Sequence, residues 1–251
     1  MAYIIVNGLK VRKDVEWSNI GLNPVTGCGH WGKTPYCDIW KVCWAEKRAK
    51  MNKGRFGYPK PPDHFKPTIH EDKFKVPKHW KKPRVCATCL MADLFSCGMP
   101  DEYIKRVIQM AKDNPRHIFM FLTKAPARAS RFTFPDNAWV GTTVNTVIDI
   151  SRIYQLKNVT CGGRFISFEP IKQHLHMSGE SLQDIQWVVI GSQTRPTVHP
   201  PREWVDDIID SADKFQVPVL IKSNSNYEPK RFDYPLTIRM VLEGTPFNEI
   251  S

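Results

Sequence analysis

The sequence predicts an α/β fold, a complete or partial (β/α) TIM-type barrel in which parallel strands are joined by crossover helices, with 1–251 forming one domain. Three observations predict it. Short β-branched or aromatic runs alternate repeatedly with helical patterns. Nearly every such run meets a polar or small residue at its carboxyl end, and functional groups gathered from many strand ends are the mark of a barrel rather than of a doubly wound sheet with its single switch point. A length of 251 residues with 41% hydrophobic content is enough for a barrel-sized core.

Taken in order, the strand candidates are Tyr3–Val6, Val85–Leu90, Ile118–Leu122, Ala138–Thr142, Arg164–Phe168, Trp187–Ile190 and Val219–Lys222, with Leu236–Leu242 as a closing or edge strand. Between them lie helices with readable ends. Trp44–Lys53 runs to Gly54, where a left-handed cap residue is wanted. Asp101–Asp113 starts with acidic residues after Pro100 and sets Ile104, Val107, Ile108 and Ala111 on one face. Pro201–Phe215 repeats the pattern with Trp204, Ile208, Ile209, Ala212 and Phe215. The strand ends supply Asp93, Lys124, Asn145, Glu169, Ser192 and Lys222, all expected at one mouth.

The net charge of +11 is unevenly placed: Lys41–Arg84 holds 14 Lys/Arg against 4 Asp/Glu, ten of the eleven surplus positive charges. The same segment carries Phe56, Tyr58, Phe65, Phe74 and Trp80 and six prolines, most densely over 54–84. Lysines to neutralise phosphates and aromatics to stack bases suit nucleic acid; a phosphorylated small molecule or an acidic protein would use the same charge, and a solvated, proline-stiffened connection is the plainer alternative. No run reaches the roughly 18 apolar residues of a membrane span, and the apolar start is too short for a secretory signal. A cytoplasmic location and no membrane partner are expected.

Seven cysteines, an odd number, do not suggest a disulfide framework. Cys28, Cys37 and Cys43 are bunched, with gaps of eight and five residues, and Cys43 opens the first helix, where backbone N–H groups favour a thiolate. Gly27, Gly29 and Gly32 allow close backbone approach to a bulky centre. Three readings are open: unrelated core thiols, a structural Cys3His zinc site with His30 as fourth ligand, or an iron–sulfur cluster whose three protein ligands leave one iron open. Cys86 and Cys89 sit at an odd separation in a strand and are expected as buried small hydrophobes; Cys97 and Cys161 fall in loops.

These residues resemble a family. Glu16-Trp17, Asn23-Pro24-Val25-Thr26-Gly27-Cys28, Cys43-Trp44-Ala45-Glu46, Lys82-Pro83-Arg84, Met91-Ala92-Asp93-Leu94-Phe95, Pro100-Asp101-Glu102, Leu122-Thr123-Lys124, Arg164 through Pro170 and Trp187-Val188-Val189-Ile190-Gly191 together resemble the uncharacterised phage-borne three-Cys-motif proteins, which are radical-SAM-like. The resemblance implies a partial barrel with a [4Fe–4S] cluster on Cys28, Cys37 and Cys43, and S-adenosylmethionine cleaved by one electron to a 5′-deoxyadenosyl radical. The strand-end placement agrees with it: Lys124 or Lys222 is a candidate for the methionine carboxylate, Glu169 for the amine or ribose and Trp44 for the adenine, with Asp93, Asn145 and Ser192 in the same cofactor-binding set and a solvated or salt-bridged rim residue as the alternative for each. An external electron donor goes with this chemistry, and whether a partner protein encoded nearby is also needed is left open by the sequence. A nucleic-acid base or nucleotide is the expected substrate. The competing expectation is a non-enzymatic nucleic-acid-binding protein stapled by Cys3His zinc.

Overall fold

The computed structural model describes residues 2–32, 37, 40–177, 180–194 and 196–250. Seven strands form one sheet: β1 (Ile20–Leu22), β2 (Val85–Thr88), β3 (Ile118–Thr123), β4 (Ala138–Thr143), β5 (Gly163–Phe168), β6 (Trp187–Ile190) and β7 (Val219–Ile221). They are all parallel and lie side by side in sequence order. The helices are α1 (Trp44–Met51), α2 (Asp101–Lys112), the single-turn α3 (Pro126–Ala129), α4 (Ser151–Lys157), α5 (Arg202–Lys214) and α6 (Leu236–Glu243).

Period-two alternation divides each strand between two apolar layers. Cys86, Phe119, Phe121, Val140, Ile166, Phe168, Val188, Ile190 and Ile221 point to one face and pack with Ile104 and Val107 of α2, Ile153 of α4 and Ile208 of α5. Ala87, Met120, Trp139, Phe165, Trp187, Val189 and Leu220 point to the other, against Trp17 and against Ile238 and Val241 of α6. The crossover helices therefore share one face. That is the arrangement of a barrel wall, and in this chain it stays open, a curled half-barrel compatible with a partial TIM-type barrel.

The inner face accommodates two of its large rings by pairing them with glycines on the neighbouring strand. Trp139 lies opposite Gly163 and Phe165 opposite Gly141. A Cβ on Gly163 would come within 2.4 Å of the indole, and one on Gly141 within 2.5 Å of the phenyl ring. Trp17 then covers Phe165, ring centroids 5.5 Å apart.

The gap between the outermost strands is bridged by side chains. Glu16, with 0% exposure, accepts the Ser223 backbone N–H at 3.0 Å and the Ser223 hydroxyl at 2.6 Å. Lys222 Nζ donates to the Asp14 carbonyl at 3.3 Å, and the Tyr234 hydroxyl to the Glu16 carbonyl at 2.9 Å.

Several elements differ from the sequence expectation. Leu236–Leu242 is α6, not a strand: Pro235 caps its start and Gly244, at φ 118°, its end, the proline-first, glycine-last signature that outweighs a β-branched composition. Tyr3–Val6 is a strand, but it pairs antiparallel with Leu9–Arg12 outside the main sheet, through an Asn7-Gly8 turn with positive φ at both residues. The first strand of the sheet is instead Ile20–Leu22, too short and too glycine-interrupted to register in the pattern. The strand begun at Val85 stops at Thr88 because Cys89 takes φ 59°.

Candidate functional site

The carboxyl edge of the sheet carries two groups of side chains. The first is built on the cysteine loop after β1. Val25 and Thr26 pair antiparallel with Thr68 and Ile69, and Thr26 Oγ1 lies 2.8 Å from His70 Nε2. Gly27 has φ 88°, and a Cβ there would meet the Lys66 carbonyl at 2.1 Å; its N–H donates to Met91 O at 2.9 Å. Cys28 N–H donates to Phe65 O at 3.0 Å, and Gly29 N–H to Ser96 Oγ at 3.0 Å. The loop is thus clamped between 65–66 and 91–96.

Within that clamp Cys28 is largely shielded. Burial, then the charge of Asp93, pushes its thiol up to about 12, although the N–H groups of His30 and Asp93 oppose the shift. Cys43 caps the start of α1, and its thiol too is raised by burial against the N–H groups of Glu46 and Ala45. Cys37 is buried and close enough that its charge raises both Cys28 and Cys43. Cys28 and Cys43 also border the same small apolar cluster, Ala45, Ala49, Phe65 and Met91. Cys28 and Cys43 thus share one apolar neighbourhood, and Cys37 is near enough for its charge to reach both.

Asp93 holds this pocket to the next strand. Its carboxylate accepts Thr123 Oγ1 at 2.6 Å, Lys124 N–H at 2.8 Å and Phe95 N–H at 3.1 Å, and lies 3.5 Å from His30 Nδ1. Burial raises its pKa, but the hydrogen bond and charge of His30, with Thr123 and the Lys124 amide, bring it below the ordinary carboxylate value. His30 Nε2 accepts Cys97 N–H at 3.3 Å.

The second group sits at the ends of β5, β6 and β7. Lys222, 4% exposed, donates to Glu169 Oε1 at 2.5 Å, and Asn224 Nδ2 approaches the same oxygen at 3.3 Å. Asn224 also donates to Ser192 O at 2.9 Å, and Ser192 Oγ lies 2.9 Å from His199 Nδ1. Gly191 leaves room for Glu169: a Cβ would come within 2.8 Å of its carboxyl carbon. Ser223 and Asn224 help line a cleft of about 580 Å³ with Lys13, Asp14 and Thr194.

Of the residues singled out from the sequence, the fold brings together Cys28, Cys37 and Cys43; Asp93 with the Lys124 backbone; and Glu169, Ser192 and Lys222. Asn145 lies apart, buried in the turn after β4, where its N–H donates to Asp149 at 3.0 Å. Trp44 stands at the start of α1, 56% exposed. Sequence reasoning passed over Asn224, His199 and the clamping role of Glu16. Ser-Asn after a strand and a Glu-Trp pair are faint signals for such contacts.

The basic segment folds onto the cysteine loop. Phe65 is buried in the pocket wall, Phe74 and Trp80 pack on the main core, and Tyr58 lies against His70 with centroids 5.4 Å apart. His64 Nε2 lies 2.7 Å from Glu46 Oε1 of α1. Of the five aromatics only Phe56, at 80%, is open to solvent.

Three thiols around a shielded pocket suit soft-ligand centres, zinc or iron–sulfur. Among the described residues, no three of Cys28, Cys37, Cys43 and His30 bring ligand atoms within 4.8 Å of one another, as a single zinc ion would need. His30 is moreover turned to Cys97 and Asp93. A polynuclear cluster binds each thiolate on a different iron and takes a wider spacing. Cys86 and Cys89 are both buried in the main core.

Residues 12–249 match a protein family of unknown function, DUF5131. No curated protein and no solved structure matches the chain. No helix among the described residues is long and apolar enough to cross a membrane.

Proposed function

Because the chain belongs to the DUF5131 family, whose function is not established, we propose its activity from the site: a radical S-adenosylmethionine enzyme with a [4Fe–4S] cluster on Cys28, Cys37 and Cys43, acting on a nucleic-acid base or nucleotide. What supports this reading is the nearness of Cys37 to Cys28 and Cys43, two shielded thiols, on the loop and helix start that follow the first strand of a parallel half-barrel. When bound, such a cluster supplies the electron that cleaves S-adenosylmethionine to methionine and a 5′-deoxyadenosyl radical.

The chain's own residues have separable tasks. Gly27 and Gly29 fix the loop that presents Cys28. The Ala45 and Glu46 amides at the start of α1 stabilise the Cys43 thiolate. Asp93 is a positioning residue, locking the loop to Thr123 and Lys124. Lys222, held by Glu169, offers an ammonium for the cofactor's carboxylate, with Glu169 and Ser192 for its amine and ribose; Lys124 is the second candidate for the carboxylate. Trp44, exposed beside Cys43, offers an indole face for adenine. Phe165, Trp139 and Trp17 make the floor of the half-barrel apolar, which keeps water from a reactive radical.

The basic segment supports an anionic substrate: its lysines lie on the outside of the layer whose Phe65 and His64 wall the pocket. Because most of its aromatics are turned inward, phosphate neutralisation rather than base stacking carries that part of the reading.

Anaerobic purification tests it. Brown protein with about four irons and reductant-dependent cleavage of S-adenosylmethionine is expected, and Cys28→Ala should lose iron and cleavage together. A colourless protein with one tightly held zinc and no cleavage overturns it in favour of the zinc-stapled binding protein.

A further inference from the structure

The structure assigns a second metal site, remote in the chain from the cysteine pocket: we propose that His174, His176 and Asp207 hold a divalent first-row transition ion. His174 and His176 lie in the loop after β5, and Asp207 lies on α5. One ligand atom from each falls within 4.8 Å of the other two. His174 Nε2 is 2.6 Å from Asp207 Oδ2, and the His174 and His176 rings face each other with centroids 3.9 Å apart.

Three features favour an ion over a plain imidazole–carboxylate contact. His174 and Asp207 satisfy each other, but that contact gives the second imidazole no partner of opposite charge. A cation at the ring edges, where one nitrogen of each imidazole and an Asp207 oxygen lie within 4.8 Å of one another, takes an in-plane lone pair from each. His176 also adopts φ 46°, a left-handed conformation uncommon for non-glycine residues although histidine takes it more readily than most, and one that clusters at functional positions. Finally Trp204, one turn before Asp207, stacks on His174 at an interplanar angle of 11° and fixes the plane of the imidazole, as supporting contacts do around metal-ligating histidines.

Two imidazole nitrogens and one carboxylate oxygen suit zinc, cobalt, nickel or iron(II), and leave positions for water or substrate. All three residues retain solvent access, so an ion can enter. Trp204 also lines a cleft of about 240 Å³ with Pro170, Lys172 and His199, which places the ion beside a space that a small ligand could occupy.

The site is tested on the full chain without an affinity tag, purified anaerobically with any cluster retained. Titration with cobalt(II) reads it directly: cobalt on imidazole and carboxylate gives weak visible bands without the intense near-ultraviolet absorption of a thiolate complex, so the histidine site is distinguished from the cysteines. One equivalent of thiolate-free cobalt, displaced by zinc, is expected. His176→Ala, a change at an exposed side chain, and Asp207→Asn should each weaken that binding at least about tenfold and leave iron content unchanged. Unchanged cobalt affinity in both variants, or no thiolate-free cobalt in the parent chain, overturns the proposal. Because iron content is read in the same samples, failure of this site is distinguishable from failure of the cluster.

Discussion

Lys222 is a tightly held charge: it is inside the mouth, against Glu169 at 2.5 Å and the Asp14 carbonyl at 3.3 Å. A buried ion pair adds little net stability against an apolar pair, but losing one partner leaves the other uncompensated. Glu169→Gln keeps the shape and removes the charge. Denaturant unfolding should show a loss of about 2–4 kcal/mol, and adding Lys222→Met should recover a large part of it. A surface pair would show neither effect. Both residues were legible in the sequence as ionisable groups at strand ends. Their pairing was not, because it depends on β5 and β7 lying either side of β6. For the same reason Asp93 stood out as a candidate binding residue, whereas three hydrogen bonds from 95, 123 and 124 use its carboxylate to fix the loop.

Elements were readable where period and punctuation agreed. The four central strands, α2 and α5 lie within a residue or so of their sequence boundaries because each pairs a clear apolar pattern with a capping or breaking residue. Leu236–Leu242 failed because Ile, Thr and Val argue for a strand locally, while the Pro235 and Gly244 caps and the inward Ile238 and Val241 make a helix. Ile20–Leu22 was invisible because three residues with a central glycine carry no period. The ring-over-glycine packing of β4 and β5 was also hidden, since it is a property of register. It has a sharp consequence: Gly163→Ala places a methyl within 2.4 Å of the Trp139 indole, and thermal unfolding should report a loss of about 1–3 kcal/mol. Pairing it with Trp139→Leu should relieve most of that loss; if it does not, the clash is not the cause.

At the scale of the molecule, the charge asymmetry was plain from the sequence, but its meaning changed once the basic segment proved to be the wall of the cysteine pocket rather than a free arm. The cysteines give the whole chain a pH dependence. Cys28, Cys86 and Cys89 are each raised by burial from 9.0 to about 12. Below pH 9 folded and unfolded chains both keep these protons. Above it the unfolded chain releases them while the folded chain does not, so stability present below pH 9 is lost as pH rises towards 12. For the metal-free chain the slope should be about 1.4 kcal/mol per pH unit for each thiol, measured by urea midpoints between pH 8 and 10.5. Cys86→Ala should lessen the slope; an unchanged slope would exclude that thiol. Metal loading at Cys28 requires its proton to leave, so it should strengthen as pH rises over the same range.

The contact between Glu16 and Ser223 joins positions 207 residues apart. A ribosome delivers Glu16 207 residues before Ser223. Through that stretch of synthesis, therefore, the carboxylate that becomes fully enclosed in the finished fold has only water as its partner, and the segment before β1 stays unlatched. The half-barrel can be laid down strand by strand as it emerges, each β-strand docking on the last, but its two borders can be fastened only after the seventh strand is out. Within the sheet the mouth, with Lys222 next to that latch, can then close only after the cysteine loop at the first strand has long been made.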